Sequence, residues 1–328
     1  MARAQRMELM KSIGRKRDSV VISYVTGDRE NVSTRIAPDV VRIIFRHLKA
    51  IGARPRVDLF LYTRGGDVLT PWRLVNLFRE FTSRFCVLVP FRAYSAGTLM
   101  CLGADEIVMS KMGELGPIDP SVVNAFNPQD PANTCARLPV NIEDVYSYLT
   151  LIADKMGAYN EEVIAKAFMV LVENIHPLAL GNVHRNWLLI RSLANKMLDL
   201  RSVRLSREQE QNIVDYLTEK LYAHNHMIVR REALEEIGLP VVYADDELDD
   251  LMWGLHEDLA HELKLREPFN PDELYRGERT EFEVASGIVE SEWGADYYIF
   301  SGVVEKNDFP EGGQINVNIN KQGWRTAI

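Results

Sequence analysis

The 328-residue sequence contains few cysteines, and their number and spacing limit the kinds of site the protein can carry. The three cysteines, Cys86, Cys101 and Cys135, are odd in number and match no common metal-binding spacing. Cys86 and Cys101 lie in apolar runs, so we expect both thiols to be buried and reduced, as in a cytosolic protein. A chain of this length can bury a sizeable core without a disulfide or a structural metal. The sequence therefore predicts no metal site and no cofactor.

Long apolar segments are also missing. No stretch approaches 18 consecutive apolar residues, so we predict no membrane span. The basic N-terminus, Met1-Ala-Arg-Ala-Gln-Arg, is not followed by the apolar segment that a signal peptide requires. Together these features predict a cytoplasmic location.

Basic residues are the minority among the charged ones. The sequence has 38 Lys and Arg against 47 Asp and Glu, giving a formal net charge of -9. An acidic surface repels phosphate backbones, which argues against nucleic acid as a general partner. The hydrophobic share of 46% and the charged share of 26% are those of an ordinary globular protein.

Strand and helix patterns alternate through the first third of the chain. Apolar, β-branched runs at 19–26, 57–62, 85–90 and 106–109 predict strands, and segments with helical spacing separate them. Such alternation favours a largely parallel sheet with right-handed crossovers, and fully apolar strands favour a sheet covered on both faces. The predicted class is α/β.

The end of the chain has a different pattern. Residues 281–328 alternate apolar and polar side chains with a period of two, which predicts a small antiparallel β appendage. We therefore divide the chain into an N-terminal extension at 1–18, a central domain at 19–265 and a β-rich C-terminal part at 266–328.

A pair of glycines follows the second predicted strand, in Leu61-Tyr-Thr-Arg-Gly-Gly-Asp. Gly65 and Gly66 allow the backbone to adopt positive φ and to approach a ligand closely. Ligands of open α/β sheets bind at the edge formed by the carboxyl ends of the strands. A loop at this edge exposes backbone N–H groups to the ligand. Taken alone, the pair is explained more simply as a tight strand-to-helix turn.

A serine follows the third predicted strand, in Phe91-Arg-Ala-Tyr-Ser-Ala-Gly-Thr. Ser95 begins a helix, and the N–H of Ala96 is a free donor in its first turn. Taken alone, Ser95 is explained more simply as a helix N-cap. Because both loops lie at one sheet edge, we predict instead that Ser95 is a nucleophile. The N–H groups of Gly65 or Gly66 and of Ala96 would then form a two-donor oxyanion hole.

Four segments of the sequence also resemble one known family. They are Thr-Arg-Gly-Gly-Asp (63–67), Tyr-Ser-Ala-Gly-Thr (94–98), Gly-Ala-Asp-Glu-Ile-Val-Met (103–109) and Leu-Gly-Pro-Ile-Asp-Pro (115–120). They resemble the serine dehydrogenase proteinase family, which is related to the Clp protease subunit and to signal peptide peptidase A. The resemblance extends over roughly residues 19 to 240.

The resemblance implies a Clp protease/crotonase-like fold of repeated ββα units. Residues 19–265 would then be a serine protease domain that hydrolyses peptides or unfolded proteins through an acyl-enzyme on Ser95, without a cofactor. Folds of this type bury a helical face between subunits, so the resemblance also implies a homo-oligomer, a trimer or a hexamer.

The proton acceptor is assigned through the same resemblance. A Ser–Asp–His order matches Ser95, Asp119 and either His224 or His226. The alternative is a Ser–Lys dyad like that of signal peptide peptidase A, with Lys111 as the base. A lysine must be desolvated to lose its proton, and Lys111 stands in a polar Ser-Lys pair, so it is the less favoured choice.

Two other functions share the same fold. A crotonase-type enzyme acting on a CoA thioester uses a two-donor hole but needs a carboxylate acid or base in place of the serine. A non-catalytic oligomeric scaffold would keep the fold and lack the base.

Overall fold

The computed structural model describes residues 3–118, 121–133, 135–155, 161–221, 223, 225–275, 277, 279–306 and 315–327. Contacts divide the chain into two compact units. The first consists of residues 1–116, 197–205 and 227–328, and the second of residues 117–196 and 206–226. The second unit is therefore built from two segments inserted into the first.

The described strands range from two to thirteen residues in length. They are β1 (Val20–Thr26), β2 (Arg54–Tyr62), β3 (Thr82–Val89), β4 (Arg92–Ala93), β5 (Glu106–Met109), β6 (Glu114–Leu115), β7 (Ser121–Val122), β8 (Val140–Asn141), β9 (Ile228–Val229), β10 (Val241–Tyr243), β11 (Thr280–Ser291), β12 (Gly294–Lys306) and β13 (Ile315–Thr326).

The helices are α1 (Arg3–Arg17), α2 (Val40–Ile51), α3 (Thr70–Arg79), α4 (Ala96–Leu102), α5 (Ile142–Thr150), α6 (Glu161–Asn174), α7 (Pro177–Asp199), α8 (Arg207–Asp215), α9 (Arg230–Glu235) and α10 (Asp246–Glu262). Two π-helical turns, Leu151–Lys155 and Tyr216–Lys220, directly follow α5 and α8.

The first unit is organised around one large sheet in the order β10-β5-β3-β2-β1-β11-β12-β13. Strands β10, β5, β3, β2 and β1 run parallel, and β11, β12 and β13 are antiparallel to their neighbours. This arrangement confirms the predicted α/β class and the largely parallel sheet.

Helices cover both faces of the parallel strands, as their uniformly apolar sequences predict. On one face, Met10 and Ile13 of α1 and Met252 of α10 join a buried cluster with Phe60 and Leu88 of the sheet. Helices α2, α3 and α4 supply further core residues, and the ring of Phe78 in α3 stacks on that of Phe85 in β3, with centroids 4.6 Å apart.

The predicted C-terminal strands are present and are continuous with the central sheet. Strand β11 pairs with β1 from Ser23 opposite Glu290 to Thr26 opposite Gly287. The N-terminal helix α1 also belongs to this assembly, because Arg6 is buried and its Nε lies 2.7 Å from Glu290 Oε2. The predicted boundaries at 18/19 and 265/266 stay predictions.

Helix α5 ends at Thr150 and continues as a π-helical turn to Lys155, and α6 starts at Glu161. Within the described ranges no single helix is long and apolar enough to cross a membrane. The helices Glu161–Asn174 and Pro177–Asp199, bent by 104° to each other, pass that length and hydropathy test only as a pair.

Candidate active site

The loops that follow β2 and β3 are hydrogen-bonded to each other at the carboxyl edge of the sheet. The N–H of Thr63 donates to the carbonyl of Arg92 at 2.9 Å, and the N–H of Tyr94 donates to the carbonyl of Thr63 at 3.1 Å. These bonds form an isolated parallel bridge between Thr63 and Ala93. They hold the glycine loop beside the serine loop, although the two are separated by a helix and a strand in the chain.

The structure brings Gly65 next to Ser95. Gly65 has φ of +106°, and a Cβ atom there would lie 2.9 Å from Ser95 Cβ, 3.1 Å from the carbonyl oxygen of Tyr94 and 3.4 Å from Ser95 Oγ. Only glycine provides both this conformation and this clearance. A side chain at position 65 would therefore overlap Ser95, and the two loops can pack this closely only with glycine there.

Gly66 is fixed from the other side by Ile36. The N–H of Ile36 donates to the carbonyl of Gly65 at 2.9 Å, and the N–H of Asp67 donates to the carbonyl of Ile36 at 2.8 Å. A Cβ on Gly66, which has φ of +154°, would lie 2.1 Å from that carbonyl oxygen. Because those atoms belong to the backbone, the segment around Ile36 can approach this closely only if position 66 is glycine.

The amide groups of the glycine loop differ in their availability. The N–H of Gly65 donates to Thr63 Oγ1 at 3.0 Å, so it is already engaged. The N–H groups of Gly66 and Ala96 have no acceptor in the part of the chain that the structure describes. The sequence did not decide between the N–H groups of Gly65 and Gly66 as a donor to the oxyanion. Among the described residues, only that of Gly66 is without an acceptor.

Ser95 has an unusual backbone conformation for a residue with a side chain. Its φ is +52° and its ψ is −110°, and it directly precedes α4. Its side chain makes no capping hydrogen bond, so the simpler N-cap interpretation fails and the half-buried hydroxyl is not used by the helix. A non-glycine residue in such a region costs about 1–3 kcal/mol, and such strain clusters at functional sites.

Close packing and hydrogen bonding explain the small residues that follow Ser95. A Cβ on Gly97 would lie 2.6 Å from Thr63 Cγ2, so α4 can approach β2 only with glycine at this position. Thr98 Oγ1 lies 2.9 Å from the carbonyl oxygen of Ala93 and 2.8 Å from that of Gly116, and it accepts the N–H of Gly116 at 3.2 Å. These contacts fix the start of α4, and with it Ser95.

Charged and phenolic groups surround the residue before the serine. The hydroxyl of Tyr94 donates to Glu114, whose Oε2 also lies 3.6 Å from Arg92 Nε. Burial, assisted by Glu114, raises the pKa of Tyr94 to about 12. Arg92 Nη1 lies 3.8 Å from Asp28, which accepts a hydrogen bond from Tyr62 at 2.9 Å. The side chain of Tyr94 is therefore held in place as a neutral phenol.

Only one of the residues predicted as members of the proton relay can be described. Asp119 and His224 lie outside the described residues. His226 belongs to the second unit, is half-buried, and its backbone N–H donates to the carbonyl of Ala223 at 3.0 Å. The assignment of the base stays a prediction.

Lys111 is held as an ammonium ion. Its Nζ lies 2.7 Å from Asp246 Oδ1 and 3.9 Å from Asp249 Oδ2, and half of its side chain is exposed. The hydrogen bond and charge of Asp246 raise the pKa of Lys111 above its usual value. A lysine that acts as a general base requires the opposite shift, so this environment argues against the Ser–Lys alternative.

The sequence did not predict a hydrogen-bonded set of serine, histidine and aspartate that the structure contains away from Ser95. His47 Nδ1 lies 2.6 Å from Ser291 Oγ, and His47 Nε2 lies 3.0 Å from Asp296 Oδ2. All three residues are buried, with at most 3% of their surface exposed. Substrate has no access to them, so we interpret the set as a link between α2 and the β11–β12 hairpin. No local pattern predicts it, because the partners are more than 240 positions apart.

Metal ligands are absent from the site as far as the chain is described. Among the described residues, no group of three or more His, Cys, Asp or Glu side chains is arranged to hold a metal ion.

Comparison with known protein families places the first half of the chain. Residues 1–165 match the family described as ClpP-like SDH-type serine proteinase, which is half of the 328 residues. The matched range contains Thr63, both glycines of the loop and Ser95.

Two uncharacterized proteins of Methanocaldococcus jannaschii are similar in sequence. MJ0137 is 32% identical over 124 residues, which are 36% of this chain and 43% of the relative. MJ1495 is 29% identical over 126 residues, which are 36% of this chain and 42% of the relative. The chain thus spans less than half of the length of either relative.

Solved structures with detectable likeness are distant. The 1510-N membrane-bound stomatin-specific protease, in complex with a substrate peptide, is 13% identical with a TM-score of 0.39, covering 65% of this chain and 73% of its own. ClpP1 from Listeria monocytogenes is 14% identical with a TM-score of 0.36, covering 73% of this chain and 97% of its own. Similarities this low carry no argument about function.

Proposed function

The chain belongs to the ClpP-like SDH-type serine proteinase family, and from that membership we propose that it hydrolyses peptide bonds through an acyl-enzyme on Ser95. The observation that carries the proposal is the contact between two loops. Gly65 lies against Ser95, and the N–H groups of Gly66 and Ala96 have no acceptor among the described residues.

The proposed chemistry follows from these groups. Ser95 Oγ attacks the carbonyl carbon of the peptide and forms a tetrahedral intermediate with a negatively charged oxygen. The N–H groups of Gly66 and Ala96 stabilise that oxygen, and the loss of one such donor typically lowers kcat about 10²–10³-fold. The proton of the hydroxyl passes to the base and then to the leaving amine, and water hydrolyses the acyl-enzyme.

We propose a histidine of the 222–228 segment, His224 or His226, as the base, oriented by Asp119. The support is the residue order that this family resemblance implies and the chemical need for a base oriented by a third group. Lys111 is the second choice, because its ion pair with Asp246 keeps it protonated.

Peptides or unfolded proteins are the proposed substrates, in the cytoplasm, and the proposed active form is a homo-oligomer, a trimer or a hexamer. Enclosure of the sites within such an assembly would protect neighbouring proteins. Sedimentation velocity measures the assembly directly, and a monomer at micromolar concentration would contradict this part of the proposal.

Covalent labelling tests the nucleophile. The wild-type chain is treated with a fluorophosphonate, and the modified peptide is identified by mass spectrometry. We expect the label on Ser95 and none in Ser95→Ala, whereas the exposed surface variant Ser83→Ala labels like wild type.

For the base, His224→Ala and His226→Ala are compared with His261→Ala, a surface control on α10. One of the first two should lower the labelling rate by orders of magnitude, and the control should not.

The other outcomes identify the competing functions. Turnover of a CoA thioester without labelling of Ser95 would favour the crotonase-type enzyme. A folded oligomer with neither activity, in wild type and Ser95→Ala alike, would favour the scaffold. If both histidine variants label at the wild-type rate, the Ser–Asp–His assignment fails and Lys111→Ala is the next variant to measure.

A further inference from the structure

The second unit contains an open cleft of about 720 Å³. Its size falls within the range of about 300–1,000 Å³ that is usual for ligand sites. The residues that line it and matter here are Asp144, Tyr146, Leu151, Asp154, Trp187 and Glu219. All the described lining residues belong to residues 117–196 and 206–226, which form this unit.

One part of the cleft is apolar and aromatic. Tyr146 and Leu151 are 44% and 56% exposed, so both present apolar surface to solvent in the cleft. The ring of Tyr146 meets that of Trp187 edge to face, with centroids 6.2 Å apart. A ligand with an apolar side chain would remove this surface from water, at a gain of about 25 cal/mol per Å².

The charged residues that line the cleft, as far as the chain is described, are all acidic. Asp144, Asp154 and Glu219 line it, and no Lys, Arg or His is among its described lining residues. Glu219 is neutralised by Arg191, whose Nη1 lies 2.8 Å from its carboxylate. Asp144 accepts only the amide of Asn141, at 3.3 Å, and neither Asp144 nor Asp154 has a basic partner in the described part of the chain. Among the described residues, two carboxylates of the cleft therefore have no cationic partner.

Trp187 already accepts a cation of the protein itself. The guanidinium carbon of Arg191 lies 4.9 Å from the centroid of the indole ring. Aromatic rings attract such cations at this distance. The ring of His184 also stacks on that of Trp187, with centroids 5.6 Å apart. Trp187 is therefore contacted by side chains of the protein, and Tyr146 and Leu151 provide the exposed apolar surface of the cleft.

We propose that this cleft binds a polypeptide segment in which a lysine or arginine stands next to a large apolar residue. The apolar side chain packs on Tyr146 and Leu151, and the basic group pairs with Asp144 and Asp154. The hydroxyls of Ser147 and Thr150, which also line the cleft, supply partners for main-chain amides. An acidic segment is repelled by the same carboxylates, and a neutral apolar segment leaves them without a partner.

The test measures binding to the full chain with Ser95→Ala, so that no probe is cut. The probe is a fluorescein-labelled decapeptide of alternating leucine and lysine, followed by fluorescence anisotropy at low ionic strength. One matched peptide has glutamate in place of lysine, and another has serine in place of leucine. We expect the leucine–lysine peptide to bind at least tenfold more tightly than either, and its affinity to fall with added salt.

Variants of the cleft locate the binding. In the Ser95→Ala background, Asp144→Asn with Asp154→Asn should weaken the leucine–lysine peptide about three- to tenfold, as expected for two exposed ion pairs. Leu151→Ser should weaken it to a similar extent, and Asp250→Asn, an exposed acid of α10, should leave it unchanged. Circular dichroism confirms that each variant is folded.

Three results would overturn the proposal. The first is equal affinity of the glutamate and lysine peptides, and the second is equal affinity of the double variant and its parent for the lysine peptide. The third is loss of bound peptide as the protein concentration is raised and the chain self-associates. The last would assign the cleft to a second copy of the chain. Because binding is measured without the serine hydroxyl, none of these results bears on the proposed peptidase activity.

Discussion

A Cβ atom on Gly65 would lie 2.9 Å from Cβ of Ser95, a separation that real side chains do not adopt. The glycine loop and the serine loop are therefore packed against each other, and any side chain at position 65 would displace Ser95. This dependence makes Gly65 a direct probe of the site.

Gly65→Ala should reduce fluorophosphonate labelling of Ser95 by about 100-fold, because a displacement of the order of 1 Å has that effect on a reacting group. Overpacking should also lower the free energy of unfolding by about 1–3 kcal/mol. Labelling is measured at a temperature where the variant remains folded.

Gly52 provides the matched control for that substitution. It also has positive φ, +74°, but a Cβ there would meet nothing within 4 Å. Gly52→Ala should lose about 1 kcal/mol of stability through its backbone alone and label at the wild-type rate. Equal labelling by Gly65→Ala and Gly52→Ala would show that the contact with Ser95 has no bearing on reactivity.

The backbone strain at Ser95 predicts a gain in stability when the residue is replaced by glycine. Ser95→Gly relieves the strain of φ +52°, whereas Ser95→Ala retains it. We expect the glycine variant to be more stable than the alanine variant by about 1 kcal/mol, after the greater chain entropy of glycine is included. Urea denaturation of the two unreactive proteins measures the difference. An alanine variant of equal or greater stability would be inconsistent with strain at this position.

Thr63 is predicted to position the glycine loop through its hydroxyl. Its Oγ1 accepts the N–H of Gly65 at 3.0 Å and lies 2.7 Å from Thr26 Oγ1. Thr63→Val keeps the shape but leaves these buried donors without an acceptor, at about 1–3 kcal/mol. Labelling of Ser95 should slow about tenfold, and Thr63→Ser should restore the rate because it restores the oxygen. If the serine variant labels as slowly as the valine variant, the methyl group of Thr63, and not its hydroxyl, positions the glycine loop.

The stability of the first unit should decrease in mild acid because of His256. This histidine is 4% exposed and packs among the rings of Tyr62, Phe91 and Trp253. Burial lowers its pKa from 6.5 to about 4. Below pH 6.5 the unfolded chain therefore binds a proton that the folded chain rejects, and stability falls as the pH decreases from about 6.5 to 4.

The full loss over that interval is about 3 kcal/mol, from about 1.4 kcal/mol for each unit of pKa. His256→Phe fits the aromatic surroundings and cannot be protonated, so it should remove most of this slope. Urea midpoints between pH 4 and 7.5 measure the effect. An unchanged slope in the variant would assign the acid sensitivity to other groups, of which His47, whose pKa burial also lowers, is the first to examine.

The central strands and the two loops are predictable because their signals are local. The apolar run before Thr63 predicts β2, and the glycines after it predict a loop at the strand end that tolerates close contact. The structure adds what a local pattern cannot contain: which of the two glycine amides has no acceptor among the described residues. That depends on the hydroxyl of Thr63, which takes the amide of Gly65 and leaves that of Gly66.

Long-range pairing accounts for most of what the sequence did not predict. Period-two alternation indicates that residues 281–306 form strands, but it does not indicate that β11 pairs with β1 across more than 250 residues. The contact of His47 with Asp296 is hidden for the same reason. The π-helical turn Leu151–Lys155 after α5 is a local feature that apolar spacing alone does not predict.

The pairing of β1 with β11 has a consequence for synthesis on the ribosome. Strand β1 emerges early and finds β2 soon afterwards, but its other edge stays open until residues 287–290 have left the exit tunnel. Until then a nascent chain exposes an unpaired strand, and the guanidinium of Arg6 lacks the carboxylate of Glu290. The sheet that carries the Ser95 loop therefore gains its full set of neighbouring strands only after residues 287–290 have been synthesised.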